Sequence, residues 1–496
     1  MQFNSFEFLI FFPIVLMVYF VIPRKVRYIW LLLSSYYFYM CWNATYALLL
    51  LASTLVTFFV GLLIENQKEN VKIQKAIVAI GLALNFGILF YYKYALFAIE
   101  TVQEILLKFG VNLEINGPDI LLPVGISFYI FQAVGYTIDV YRGKIDAEKN
   151  PLRYALFVSF FPQLVAGPIE RSTNLLPQLR EVHQINLWNT KRIQKGAVVM
   201  LYGYILKMII ADRAAIYVDT IYNVETYNNY GGFTVLIAMI LFSFQIYCDF
   251  AGYTYIAIGA ARIMGFDLMN NFKMPYMATG IKDFWNRWHI SLSGWFKDYL
   301  YFPLGGSRKG KVRKYVNIFI VFLLSGLWHG ASWQFVIWGM VHGVMRVFGE
   351  ATEKIREKIY AKLKFRRDTL ATTLWKMTCT FSLVTLAWVF FRARSLQQSL
   401  DMLKNLVTGY NPWVLTDGSI FSLGLDAKDW NVLLVALLFL IVVDALRYCK
   451  INLTELFMKQ NLWFRWIILY IGILAVVLFG VYGPQYDAAQ FIYFQF

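Results

Sequence analysis

The chain has four histidines, at 183, 289, 329 and 342. Two of them sit in stretches whose composition suggests more than packing. His329 lies in FLLSGLWHGASWQFVIW, between Gly326 and Gly330, whose missing side chains let another backbone or a ligand come close. His289 lies in KDFWNRWHISLSGWFKDYLYFPLGG, where Trp285, His289, Leu292 and Phe296 follow i, i+4, i+7 and i+11 and so share one helical face. On that face His289 points inward with the aromatics. An imidazole, with a pKa near ~6.5, is suited to moving a proton near neutral pH, which makes both residues candidates for general acid–base chemistry. For His329 the alternative is a histidine that only hydrogen-bonds a neighbouring helix. His342, well inside an apolar helix, and His183, in a loop, are not candidates.

Charged residues near these histidines give a second set of candidates. Lys282, Arg287 and Lys297 project from the His289 stretch and, with SRKGKVRK at 307–314, could meet the phosphates of a nucleotide-bearing cofactor. The competing reading is an interfacial aromatic belt with lipid-binding bases. Asp249, in FQIYCDFAGYTYIAIG, closes an expected span as a buried or half-buried carboxylate, and Asp139 with Arg142 nearby reads as structural. No GxSxG elbow and no Walker loop is present, so a serine hydrolase or an ATPase has no residues to carry it. Cys41, Cys248, Cys379 and Cys449 are scattered, and neither a disulfide framework nor a metal site follows from them.

The elements that must position these residues are membrane helices. Of 496 residues, 59% are hydrophobic, 18% aromatic and only 15% charged, a composition outside the range of soluble domains. The apolar residues fall in blocks of roughly 17 to 22, the length a helix needs to cross a core about 30 Å thick, which predicts an all-α transmembrane bundle rather than a barrel. Spans are expected at about 5–22, 27–42, 45–64, 75–94, 120–140, 195–213, 233–250, 315–331, 333–349, 372–391, 430–446 and 463–482, roughly twelve crossings. The net charge of +16 is concentrated in loops between these blocks. That is the positive-inside pattern, so anionic lipid or a phosphorylated cofactor is the expected partner rather than nucleic acid. Counting loops puts both termini outside the cell membrane.

Two regions depart from simple crossing. YALFVSFFPQLVAGPIER (154–171) has basic flanks and internal Pro162, Gly167 and Pro168, and reads as re-entrant, which is tolerated only where protein or a water-filled cavity covers the freed backbone groups. The aromatic but polar stretch from Gly252 to Pro303 reads as helices lying in or near the interface. No repeat of fixed period appears, so residues 1–496 read as one membrane domain.

WNRWHISLSGWFKDYLYFPLGG (285–306) followed by SGLWHGASWQFVIWGMVHG (325–343) resembles the signature of the membrane-bound O-acyltransferase family. PVGISFYIFQAVGYTIDVYRG (123–143), FFPQLVAGPIER (160–171) and FQIYCDFAGYTYIAIG (244–259) are similar to its bacterial branch typified by alginate O-acetyltransferase membrane subunits. The resemblance runs over nearly the whole chain. It implies a ring of tilted helices around a central tunnel, with an acyl thioester such as acetyl-CoA as donor substrate, no bound cofactor, and a hydroxyl acceptor from outside. On the matching positions it implies that His329 is the catalytic histidine and general base, with His289 or Asn286 orienting the acyl group or stabilising an oxyanion. Trp285, Trp328 and Asp249 are then candidates to line the substrate, and Lys282, Arg287 and Lys297 to hold the donor.

The chain ends on GPQYDAAQFIYFQF (483–496). Phe491-x-Tyr493-x-x-Phe496 resembles a C-terminal motif of small partner proteins in D-alanyl transfer machines, whose tyrosine carries an acyl group. The eleven residues from Tyr482 to Tyr493 reach about 36 to 40 Å when extended, against about 15 Å for half a bilayer core. Tyr493 is therefore the candidate to receive the acyl group near His329 and hand it to an extracytoplasmic acetyltransferase partner. The alternative is that the aromatics simply anchor the tail at the interface. A lipid or acyl-group transporter without covalent chemistry, or an acyltransferase fed by an acyl carrier protein, are the competing functions.

Overall fold

A computed structural model describes residues 1–482 except 114, 118–121, 166, 365, 367 and 368. The C-terminal tail, with Tyr493, lies outside the described residues. Among the described residues the regular structure is helical throughout. The chain opens with α1 (Phe6–Val21), α2 (Arg27–Met40) and α3 (Ala44–Asn66), followed by α4 (Val71–Lys108), which passes through a π-helical turn at Phe90–Tyr94. Next come α5 (Ile126–Tyr141), α6 (Pro151–Ser159), α7 (Phe161–Leu164) and α8 (Ser172–Arg180). The long α9 (Thr190–Ile221) carries a second π-helical segment at Ile205–Ala211 and precedes α10 (Gly232–Met264). Two short helices, α11 (Ile281–Arg287) and α12 (Ile290–Phe296), lead to α13 (Lys311–His329) and α14 (Trp333–Ala351). The chain continues with α15 (Glu353–Lys362), α16 (Leu370–Arg392), α17 (Leu396–Thr408), α18 (Ala427–Tyr448), α19 (Leu453–Met458) and α20 (Leu462–Phe479).

Seven of these helices are long and apolar enough to cross a membrane: α3, α4, α9, α10, α16, α18 and α20. Their starts are set by polar caps, as where Asn43 Oδ1 accepts from Thr45 N at 2.9 Å and Asp426 Oδ1 from Asp429 N at 2.8 Å, each satisfying an amide that the helix leaves open. The other five expected crossings are helices that fall short of the same standard. α1, α2 and α5 have 16, 14 and 16 residues, rising about 21 to 24 Å against a core of about 30 Å. α13 and α14 have 19 residues each, but α13 spends its first turn on Lys311, Arg313 and Lys314.

The expected 233–250 span is in fact 33 residues long. Asp249 therefore sits within α10 rather than closing it, and the first part of the supposed interfacial stretch, 252–264, belongs to the same helix.

Among the described residues the helices gather into two compact units, 1–197 with 257–269, and 198–256 with 270–482. In the first, the described part of the 154–171 block is two short helices followed by chain without regular structure rather than one continuous helix. The break falls at Phe160, with φ −52° and ψ 110°. Its freed backbone groups are answered by buried side chains. Gln132 Nε2 and Gln163 Nε2 both donate to the Phe157 carbonyl, at 2.6 and 2.8 Å, and Phe161 N donates to Ser35 Oγ at 3.1 Å. Nearby, Glu148 is held by Arg153 at 3.1 Å and Arg180 at 2.7 Å.

The second unit carries the histidine motifs. Its core includes a charge cluster in which Lys207, on the π-helical segment of α9, reaches Asp212 at 2.7 Å and Asp249 at 2.6 Å. Antiparallel α13 and α14 approach most closely at Gly326 and Gly339, where a Cβ on either would collide with the Phe335 or the Phe322 carbonyl of the facing helix.

Candidate active site

The sequence spacing around His289 suggested one continuous helix, and the backbone shows otherwise. α11 ends at Arg287, Trp288 is extended (φ −103°, ψ 129°), His289 is left-handed (φ 43°, ψ 55°), and α12 begins at Ile290. The shared face of Trp285, His289, Leu292 and Phe296 therefore does not exist as a helical stripe. A non-glycine residue in this conformation costs roughly 1–2 kcal/mol and persists only where its surroundings hold it.

Here the holder is the segment 271–273. Asn271 O accepts from Ile290 N at 2.9 Å, Asn271 Oδ1 accepts from Ser291 Oγ at 2.6 Å, and Lys273 N donates to Arg287 O at 2.9 Å. Asn271 is itself anchored through Nδ2 to Thr254 Oγ1 of α10 at 3.2 Å. The clamp grips both sides of the turn and aims the imidazole inward, so the inward direction of His289 is correct although its expected cause is not.

His289 is fully buried, its ring edge-on to Phe250 with centroids 4.7 Å apart. Complete burial penalises the imidazolium and pushes the pKa of His289 down to about 3. The ring is therefore neutral near pH 7, able to donate from one nitrogen and accept at the other.

His329 is the last residue of α13, followed by Gly330 in extended backbone. A Cβ on Gly330 would run into the Phe335 ring, so glycine is what allows the chain to turn this tightly into α14. The His329 ring is enclosed by Trp328, Trp338 and Phe391 at centroid distances of 5.0, 5.1 and 5.2 Å. The rings of His289 and His329 lie 6.3 Å apart, and Trp328 stands 5.7 Å from His289. Two imidazoles 40 positions apart in the chain thus share one buried, aromatic-walled site.

The other candidates divide. Trp328 lines the site, and Trp285 is buried beside it, donating from Nε1 to Nδ1 of His342 at 3.3 Å. Asp249 is committed to Lys207, but its neighbour Phe250 is the ring against His289. Asn286 is exposed on α11, on a different side from the buried Trp285, and is not brought to the histidines. Lys282 and Lys297 are exposed, the latter with its ammonium 5.7 Å from the Phe302 ring. Arg287 is tied to Asp283 at 2.8 Å and lies over the Tyr448 ring at 5.6 Å. Tyr493 lies outside the described residues.

Sequence reasoning missed Asn271, Trp338, Trp388 and Phe391. Of these, Trp338 had a readable signal, its i, i+4 spacing to His342 on α14.

Buried imidazoles at the meeting point of short and spanning helices define a membrane enzyme that can carry out proton transfer away from bulk water. Residues 145–392 match the membrane-bound O-acyltransferase family, a range that includes both site histidines and ends on the helix bearing Trp388 and Phe391. The chain is 36% identical over 419 residues, 84% of its length and 82% of the relative's, to the probable alginate O-acetylase AlgI of Pseudomonas putida. It is 36% identical over 403 residues, 76% of this chain and 73% of the relative, to a peptidoglycan O-acetyltransferase of Helicobacter pylori. It is 29% identical over 282 residues, 55% of this chain and 69% of the relative, to a teichoic acid D-alanyltransferase of Bacillus subtilis. The chain belongs to the membrane-bound O-acyltransferase family and is an O-acyltransferase.

Proposed function

We propose that the protein takes an acetyl group from a cytoplasmic acyl thioester, acetyl-CoA, and passes it across the cell membrane for O-acetylation of an exported polysaccharide. The observation that carries this reading is the pair of buried imidazoles, His289 and His329, 6.3 Å apart. A thioester reacts slowly with a hydroxyl unless a base takes the proton as the new bond forms. His329 is that base: the acceptor oxygen attacks the carbonyl carbon, its proton moves to His329, the carbon–sulfur bond breaks, and the proton returns to the departing thiolate. The neutral His289 donates an N–H to the carbonyl oxygen as it becomes an oxyanion. The reading places the site in a tunnel ringed by about twelve crossings, with both termini outside and the donor entering from the cytoplasm.

The first acceptor in this reading is the Tyr493 hydroxyl, which becomes an acetyl ester and is then attacked by a polysaccharide hydroxyl on an extracytoplasmic acetyltransferase partner, regenerating the tyrosine. The named relatives act on alginate, peptidoglycan and teichoic acid, which supports a cell-surface glycan as the final acceptor. An acyl carrier protein is the alternative donor.

Incubating the purified protein with labelled acetyl-CoA, followed by mass analysis of the C-terminal peptide, tests the reading. One acetyl group on Tyr493, lost in His329→Ala, is the expected result. A folded His329→Ala that retains full transfer overturns the base assignment, and a fully active Tyr493→Phe overturns the relay.

A further inference from the structure

His342 touches neither imidazole of the site, yet it is fully buried and connects the two segments that carry them. On α14 it stands one turn beyond Trp338, and their ring centroids are 4.8 Å apart. Trp338 in turn meets His329 on another side at 5.1 Å and stacks on Trp388 at 5.6 Å with the planes 17° apart. The same His342 ring lies 5.1 Å from Trp285 and accepts the Trp285 indole N–H at Nδ1, 3.3 Å away. Indole nitrogen can only donate, so Nδ1 must be the unprotonated nitrogen and the neutral ring carries its proton on Nε2.

Trp285 lies on α11, four residues before the left-handed turn at His289, and Trp338 is the wall of His329. We infer that His342 is a positioning residue, which fixes α11 against α14 through the Trp285 bond and so sets the spacing of His289 and His329. The inference rests on the acyl-transfer reading of that pair. Its physical content is that one directional bond in a close-packed aromatic cluster removes the sliding freedom that ring contacts alone allow. A small displacement of a reacting group is costly in rate even when substrate binding is unchanged.

The experiment is a double-mutant cycle on the full-length protein in detergent, following acyl release from labelled acetyl-CoA. H342L removes the acceptor, W285F removes the donor, and H342N puts an amide oxygen where Nδ1 stood. Each of H342L and W285F is expected to lower kcat by about 10-fold or more with KM for the thioester within about 2-fold, and the double variant to be no worse than either. H342N is expected to restore kcat to within about 3-fold of the wild type.

H342L with wild-type kcat, losses that multiply in the double variant, or H342N as impaired as H342L each overturns the proposal. Where H342L is recovered unfolded, W285F against H342N decides: loss in the first and not the second supports the bond, and any other pattern overturns it. His329→Ala run alongside separates the two claims, because full activity there removes the base assignment whatever His342 does.

Discussion

Lys207 Nζ lies 2.6 Å from Asp249 Oδ1 and 2.7 Å from Asp212 Oδ1, with all three side chains almost wholly buried. A cation is thereby placed between two carboxylates inside a pair of helices long and apolar enough to cross a membrane, and the π-helical segment of α9 is pinned to the middle of α10. π-Helical turns insert an extra residue into a helix and often mark functional positions. Here the turn lets Lys207 reach carboxylates on its own helix and on its neighbour.

Removing the cation should be far worse than removing the cluster. Lys207→Met leaves two buried carboxylates facing each other, a change of the kind that costs about 3–5 kcal/mol. The expected result is a markedly lower melting midpoint in detergent. The triple variant K207M/D212N/D249N, which buries no net charge, should recover most of the loss. A K207M protein that melts with the wild type would show that the cluster bears no load.

His289 has both a backbone and a chemical requirement. Asparagine tolerates the left-handed conformation better than alanine and keeps an amide donor. His289→Asn should therefore fold normally and retain measurable transfer, whereas His289→Ala should lose about 100- to 1000-fold in kcat, the range for a lost oxyanion donor. Equal rates for the two variants would argue against a donor role.

The closest approach of α13 and α14 depends on the absence of a side chain at Gly326. Gly326→Ala places a methyl against the Phe335 carbonyl, which can be relieved only by moving the helices apart. We expect about 1–3 kcal/mol of destabilisation and a fall in kcat, since His329 is one turn further along α13. Activity and melting midpoint measured on the same preparation check both effects. Wild-type values for the two would show that the helices yield without disturbing the site.

Glu170, buried between α7 and α8, gives a pH signature. Burial pushes its pKa up to about 7, an effect opposed but not cancelled by hydrogen bonds from Asn174 Nδ2 at 2.7 Å and Met269 N at 2.5 Å. The folded state then holds a proton that the unfolded chain releases near pH ~4.5. Its contribution to stability is therefore fully present below that value and is lost as the pH rises through about 7, by an amount of order 3 kcal/mol. Glu170→Gln cannot ionise, so the difference in melting midpoint between wild type and variant should change across pH 5 to 7.5 and level off above. A difference that is flat with pH would place the carboxylate in an ordinary ionised state.

Linear sequence determined much about this protein, because the relevant signals are local. Runs of apolar residues separated by basic loops require a membrane helix bundle, since only helices and closed barrels satisfy their backbone inside lipid. The glycine-flanked His329 and the aromatic run around His289 marked the site residues through composition and spacing. Proline and glycine in 154–171 marked a block that could not be one helix.

Tertiary contacts decided the rest. The left-handed turn at His289 exists because Asn271 and Lys273 clamp it, and no local propensity of WNRWHIS announces that clamp. Asn286, next to the buried Trp285, falls on the exposed side of α11. Asp249 looked like the end of a span because polar residues follow it. Its helix continues because Lys207, 42 positions earlier in the chain, neutralises the carboxylate from a neighbouring helix, so that a charge can lie in mid-span. His342, unremarkable in an apolar helix, acquired a partner only when Trp285 was folded against it. In each case the deciding partner is remote in sequence, and a single chain read in order carries no record of which distant residues will meet.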